Sequence, residues 1–212
     1  MSVRAKGRVG RADIGRAQDK RPERVRKPRA DALRNRDRLL GAAKASFASA
    51  GADVSLEEIA RRAGVGIGTL YRHFPTRDAI VEAVYRREVE QLSDAANRLT
   101  KTLPPGEALH AWMRLFIDYI ATKRVIAPAL KATVGGAPEL YASSGARITD
   151  AMAGMVERAR TAGEIRADAD PTDVLRALAG FTHLNAGAGW EASARRLIDI
   201  LMDGLRVQRQ SP

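Results

Sequence analysis

The stretch from Ser55 to Arg77, SLEEIARRAGVGIGTLYRHFPTR, limits what this chain can fold into more than any other. Its first half has the pattern of a short amphipathic helix. Ser55 is placed to cap the first free amides, and Glu58 to reach back and complete a capping box. Leu56, Ile59, Ala60 and Ala63 then fall at helical spacing on one face. Ala63-Gly64-Val65 breaks the helix, because glycine tolerates the positive φ of a tight turn. A second short helix is predicted at once, from Ile67 to His73. Two short helices joined through a glycine turn form a helix-turn-helix, whose second helix suits the DNA major groove.

These residues carry a family likeness. GVGIGTLYRHFPTRDAIVEAVY, preceded by SLEEIARRA, resembles the DNA-binding signature of the tetracycline-repressor (TetR) family of bacterial transcriptional regulators. Its core is Thr69, Leu70, Tyr71, His73 and Phe74, followed by the basic Arg77. The strong likeness covers roughly residues 34 to 90; the remainder matches in length and helical rhythm. The resemblance implies an all-α fold of about nine helices. An N-terminal three-helix DNA-binding domain would precede a helical ligand-binding and dimerisation domain. It implies a homodimer that binds a palindromic operator in double-stranded DNA and answers to a small-molecule effector. It also matches Tyr71, His73 and Arg77 to phosphate-binding positions, with Ser55 contributing from the preceding helix.

Composition narrows the alternatives. The chain has 212 residues, 45% hydrophobic and only 5% aromatic, which suits helices better than a β-sandwich. With no cysteine, disulfides, thiolate metal sites and a cysteine nucleophile are excluded. No apolar run approaches the ~18 residues of a membrane span, and the first thirty residues lack the apolar core of a signal peptide. A cytoplasmic protein with no cofactor, metal or membrane partner is expected.

The net charge of +11 is unevenly distributed. Residues 1–30 hold eleven Lys/Arg against three Asp/Glu, residues 31–80 eight against six, and the remainder seventeen against sixteen. The basic excess therefore marks one end as a nucleic-acid footprint. Residues 1–30 show no hydrophobic period and repeat Arg, Lys, Gly and Pro, the pattern of a disordered basic arm. Such an arm either contacts phosphates or a minor groove, or is a passive solvated tail.

Residues 31–80 are expected to form the DNA-binding domain, and residues 81–209 the effector and dimerisation domain. A first helix over Asp31–Ala50 places Leu33, Leu40, Ala43 and Phe47 at helical spacing, with Leu39 beside them. Arg34, Arg36 and Arg38 crowd its start, where the helix dipole disfavours cations; they face either phosphate or solvent. Thr76 caps a long helix running to about Leu99, which would connect the DNA reader to the later helices. Five further segments are predicted: Glu107–Thr122, Val125–Thr133, Ser144–Ala162, Asp170–Thr182 and Trp190–Arg206. The last two carry more apolar surface than a monomer needs, so they are expected to pair with a second subunit.

Within the recognition helix, Ile67, Gly68, Thr69 and Arg72 are expected to face outward, opposite Leu70 and Phe74. Arg72 can bind guanine O6 and N7 bidentately, and Ile67 or the Thr69 methyl can touch a thymine methyl. Gly68 lets the backbone approach base edges but lowers helix propensity by ~1 kcal/mol. Gly66 makes a weak cap. An effector pocket is expected from Trp112, Met113, Phe116, Ile120, Met152, Met155 and Phe181, with His183 and Asn185 as polar groups. Plain core packing explains the same stripes. Asp170 is read as a helix cap and Asp168 as a solvated acid.

A helical enzyme is poorly supported. The histidines His73, His110 and His183 are far apart, and no GxSxG or Walker loop is present. The glycines from Gly64 to Gly68 follow a helix and lack nucleotide-loop spacing. A DNA-binding protein without effector control is the other alternative.

Overall fold

The computed structural model describes residues 28–51, 53–132, 138–183, 187 and 189–207. The expected basic arm, apart from its last three residues, lies outside them, as does Asn185.

Eight α-helices make up the described chain: α1 (Pro28–Ala50), α2 (Leu56–Ala63), α3 (Ile67–His73), α4 (Arg77–Thr102), α5 (Pro105–Ala132), α6 (Pro138–Thr161), α7 (Pro171–His183) and α8 (Trp190–Leu205). The all-α expectation holds. Among the described residues the helices number eight against an expected nine or so, because Glu107–Thr122 and the described part of the next expected segment, from Val125 to Ala132, belong to one helix, with Pro128 inside its last stretch. Thr122-Lys123-Arg124, between the two expected segments, is a half-buried helical face. Lys123 Nζ lies 5.9 Å and 5.4 Å from the ring centres of Tyr119 and Tyr141, and Arg124 lies 4.7 Å from that of Trp190. Helix α1 begins at Pro28 rather than Asp31, and α4 runs to Thr102 rather than Leu99.

On α1 the apolar residues Leu39, Leu40, Ala43 and Phe47 are buried, and they pack with α2, α3 and α4. Leu33 is not part of this core, being 61% exposed. Helix α5 is the axis of the C-terminal half and packs against α4, α6 and α8. Trp112 on α5 is buried and its indole N–H donates to the Leu92 carbonyl of α4 at 2.8 Å. Three polar contacts fasten α5 to α8: a hydrogen bond of His110 with Asp199 at 2.7 Å, and the ion pairs of Arg114 with Asp199 at 3.1 Å and of Asp118 with Arg195 at 2.5 Å. An isolated bridge between Ile165 and Arg206 ties the α6–α7 connection to the end of α8. No helix among the described residues is long and apolar enough to cross a membrane.

Candidate nucleic-acid interface

The helix-turn-helix is assembled by local chemistry. The Ser55 side chain accepts the Glu58 amide at 3.2 Å, opening α2 as a cap should. The second half of the capping box is absent. Glu58 turns instead to Arg61 and Arg62, at 2.8 Å and 2.9 Å, and their donated hydrogen bonds hold its carboxyl below the usual range. Two cations on the same helix face outcompete a single backbone amide.

Gly64 closes α2 at φ 65°, ψ 37°. Its N–H donates to Arg61 O, and that of Val65 to Ala60 O, both at 3.1 Å. This crossed pair is a Schellman turn, and its left-handed residue favours glycine. Gly66 then begins α3 without a side-chain cap, as expected.

Successive residues of a helix turn by about 100°, so Ile67, Gly68, Tyr71 and Arg72 share one face of α3. All four are exposed, whereas Leu70 and Phe74 are buried in the core shared with α1 and α2. Thr69 and His73 are half-buried on the flanks. The outward set expected from sequence therefore holds for Ile67, Gly68 and Arg72, with Tyr71 between them in place of Thr69. Arg72 makes no hydrogen bond or ion pair among the described residues and is free to meet a base edge. A methyl group added at Gly68 would touch nothing within 4 Å.

Arg77 is tied to the protein's own backbone. Its guanidinium is half-buried and donates to the carbonyls of Val54 and Asp53, at 2.5 Å and 3.5 Å. It thereby clamps the start of α4 to the strand of chain that leads into α2. Thr76 caps α4 by accepting the Ala79 amide at 3.1 Å. The crowded arginines of α1 also find places. Arg34 pairs with Asp31, Arg38 with Asn35, and Arg36 lies 5.4 Å from the ring centre of Phe74 at the end of the recognition helix. That last contact joins residues far apart in sequence, and no local pattern announces it.

The residues expected to line an effector pocket occupy the middle of the C-terminal half. Trp112, Met113, Phe116, Met152 and Met155 are buried, while Ile120 and Phe181 are half-buried. His183 ends α7, but its side chain, like Asn185, lies outside the described residues. Sequence reasoning missed the polar cluster next to them. The hydroxyls of Tyr85 and Tyr119 lie 3.2 Å apart in the core, and Tyr141 meets Tyr85 edge-on at 5.5 Å. Burial, then the Tyr85 hydrogen bond, pushes the Tyr119 hydroxyl far above the usual phenol range. A cleft of about 380 Å³ opens between α4 and α6, lined by Arg86, Val89, Glu90, Leu140, Ser144 and Arg147, none of them an expected pocket residue. Among the described residues, no group of three or more His, Asp or Glu gathers as a metal site. Asp170 accepts the amides of Thr172 and Asp173, at 2.7 Å and 3.1 Å, which confirms it as a cap; Asp168 pairs with Arg166.

Two family descriptions match the chain: "Bacterial regulatory proteins, tetR family" over residues 39–84 and "Transcriptional regulator SbtR-like, C-terminal domain" over residues 104–207. The crystal structure of the TetR transcriptional regulator SCO0520 from Streptomyces coelicolor is similar at 47% identity and a TM-score of 0.75, covering 82% of this chain and 99% of that one. A TetR transcription regulatory protein from Mycobacterium vanbaalenii is similar at 36% identity and a TM-score of 0.69, covering 84% and 99%. The HTH-type transcriptional regulator SAR0097 of Staphylococcus aureus (strain MRSA252) is 36% identical over 70 residues, which is 32% of this chain and 36% of that protein. The match thus spans about a third of the length of that curated relative.

Proposed function

The chain belongs to the TetR family of bacterial regulatory proteins, and from that premise we propose that it is a cytoplasmic homodimeric repressor, released from a palindromic operator by a small-molecule effector. The observation that carries the reading is the exposed face of α3, where Ile67, Gly68, Tyr71 and the unpaired Arg72 stand over a fully buried Leu70. Arg72 reads guanine bidentately and Ile67 touches a thymine methyl. His73, on the flank, and Ser55, at the start of α2, contact phosphate. Arg77 acts as a clamp that holds α2 and α4 in register. Residues 31–80 form the reader and residues 81–209 the effector and dimerisation half.

One recognition helix covers only a few base pairs, so specificity requires two, spaced ~34–36 Å apart. Helix α8 supplies an apolar face for a second copy: Ile200 is 66% exposed, and Leu197 and Leu201 are half-buried. The effector lies among Trp112, Met113, Phe116, Ile120, Met152, Met155 and Phe181. The adjoining Tyr85–Tyr119 hydroxyls provide polar anchors. Its binding tilts α4 and changes the separation of the two readers. Full release, from 1:99 to 99:1, needs ~5.5 kcal/mol of differential affinity for the non-binding state.

The test is selection from a random duplex library by the purified chain at near-physiological salt. An enriched palindrome whose half-site loses its preference at one position in Arg72→Ala supports the reading. Binding without enrichment, abolished as salt rises, would overturn it and leave non-specific phosphate attraction.

A further inference from the structure

Glu88 stands midway along α4 and is the one carboxylate buried among the described residues, at 6% exposure. Such a group is unfavourable inside a protein unless it is paired and hydrogen-bonded, so its partners show what holds it there. They come from two other helices. Lys44 Nζ of α1 donates to Glu88 Oε2 at 2.6 Å, and the Thr122 hydroxyl of α5 lies 3.4 Å from the same oxygen, its single proton shared with the Asp118 carbonyl at 3.2 Å. One carboxylate oxygen thus joins the rear helix of the reader, the long connecting helix and the axis of the effector half. The preceding residue adds a second tie to the reader, since Arg87 Nη1 donates to the Asp37 carbonyl of α1 at 2.9 Å.

The bridge borders open space. A cleft of about 320 Å³ lies between α1, α4 and α5, lined by Lys44, Glu88, Gln91, Leu92, Leu115 and Tyr119 among others. Leu115 is left 38% exposed there. Where apolar side chains interlock, packing alone fixes the angle between two helices. Apolar residues of α1 and α4 also meet in the common core, and beside this cleft the charged bridge adds a directional contact to that packing. Helices α2 and α3 share one core with α1, so any rotation of α1 on α4 carries the recognition helix with it.

We propose that Lys44 and Glu88 are positioning residues for operator reading: their bridge sets the angle of α1 on α4, and through it the half-site spacing that the dimer prefers. Glu88 is buried and does not touch DNA; it acts through where α3 stands. The inference rests on the dimeric reading given above.

The experiment uses the full chain and palindromes built from its selected half-site, with the spacer varied one base pair at a time. The quantity read is the ratio of affinities at the best and next-best spacing, for the wild type and for Lys44→Arg, Lys44→Met and Glu88→Gln. The wild type and Lys44→Arg, which keeps the bridge, hold the ratio. Lys44→Met and Glu88→Gln lower it by roughly threefold or more, with the base preference inside each half-site unchanged. If both variants keep the wild-type ratio and lose affinity equally at every spacing, the proposal is overturned. Should Lys44→Met fail to fold, Glu88→Gln, which keeps the side-chain shape, decides alone. A wild type with no spacing preference would overturn the dimeric reading itself, a result distinct from loss of the ratio in the variants.

Discussion

Gly68→Ala separates what the recognition helix needs for folding from what it needs for DNA. Gly68 lies in the first turn of α3 with a φ that is not positive, and a methyl group there meets nothing within 4 Å. The free protein therefore accepts alanine without strain. Glycine in a helix interior is about 1 kcal/mol less favourable than alanine, and somewhat less near a helix start, so a gain of ~0.5–1 kcal/mol is expected. For a chain of this size that is a rise in Tm of roughly 1–4 °C. The DNA complex responds in the opposite direction. With the helix backbone against base edges, an added methyl overpacks the contact, which typically costs about 1–3 kcal/mol, or roughly fivefold to 150-fold in operator affinity. Denaturant unfolding gives the first quantity, and titration of a labelled operator gives the second. Opposite signs are the signature of a glycine retained for its ligand. Stabilisation with affinity within about twofold of wild type would show that Gly68 does not approach the bases. A loss of stability would refute the account of α3 itself.

Four further outcomes are expected. Arg72→Ala relaxes base preference at one position of each half-site by ~1–3 kcal/mol, measured by competition among single-base variants; a uniform loss over all sequences contradicts base reading. Arg77→Ala releases the Val54 and Asp53 carbonyls and lowers stability by ~1–2 kcal/mol, read from the denaturant midpoint, while operator affinity falls equally for all sequences; unchanged stability would argue against the clamp. Ser46 is fully buried and its hydroxyl has no partner among the described residues, so Ser46→Ala leaves stability unchanged or raises it by up to ~1 kcal/mol, and a marked loss would reveal a hidden hydrogen bond. The amides of Asp173 and Thr172 hold the Asp170 carboxyl below its ordinary range. A depressed folded pKa gives stability that is complete above the unfolded value and is lost as pH falls through the folded one, below about pH 4. Asp170→Asn should therefore unfold with a shallower acid dependence in that window, and a parallel profile would count against the cap.

What could be read from the sequence, and what could not, divides by the range of the interaction. The Schellman turn at Gly64, the Ser55 and Thr76 caps and the burial of Leu70 between exposed neighbours all depend on residues within one or two turns, and each was legible. The structure disagrees with local reasoning where a more distant or stronger partner intervenes. Glu58 leaves the Ser55 amide for two arginines. The gap expected between Thr122 and Val125 is helical, and its cations rest on the rings of Tyr119, Tyr141 and Trp190. Arg77 donates to carbonyls of the chain before α2, a partner that its place in the motif does not announce. Lys44 and Glu88 lie forty-four residues apart, and each looks like an ordinary surface charge on its own helix. Only the fold turns one of them inward. The reader's chemistry is thus written locally, in a few adjacent positions of α3, whereas the joints that aim the reader are contacts between distant helices. That distribution fits a protein whose base preference can change by one or two substitutions while its mechanical coupling, shared among α1, α4 and α5, stays fixed.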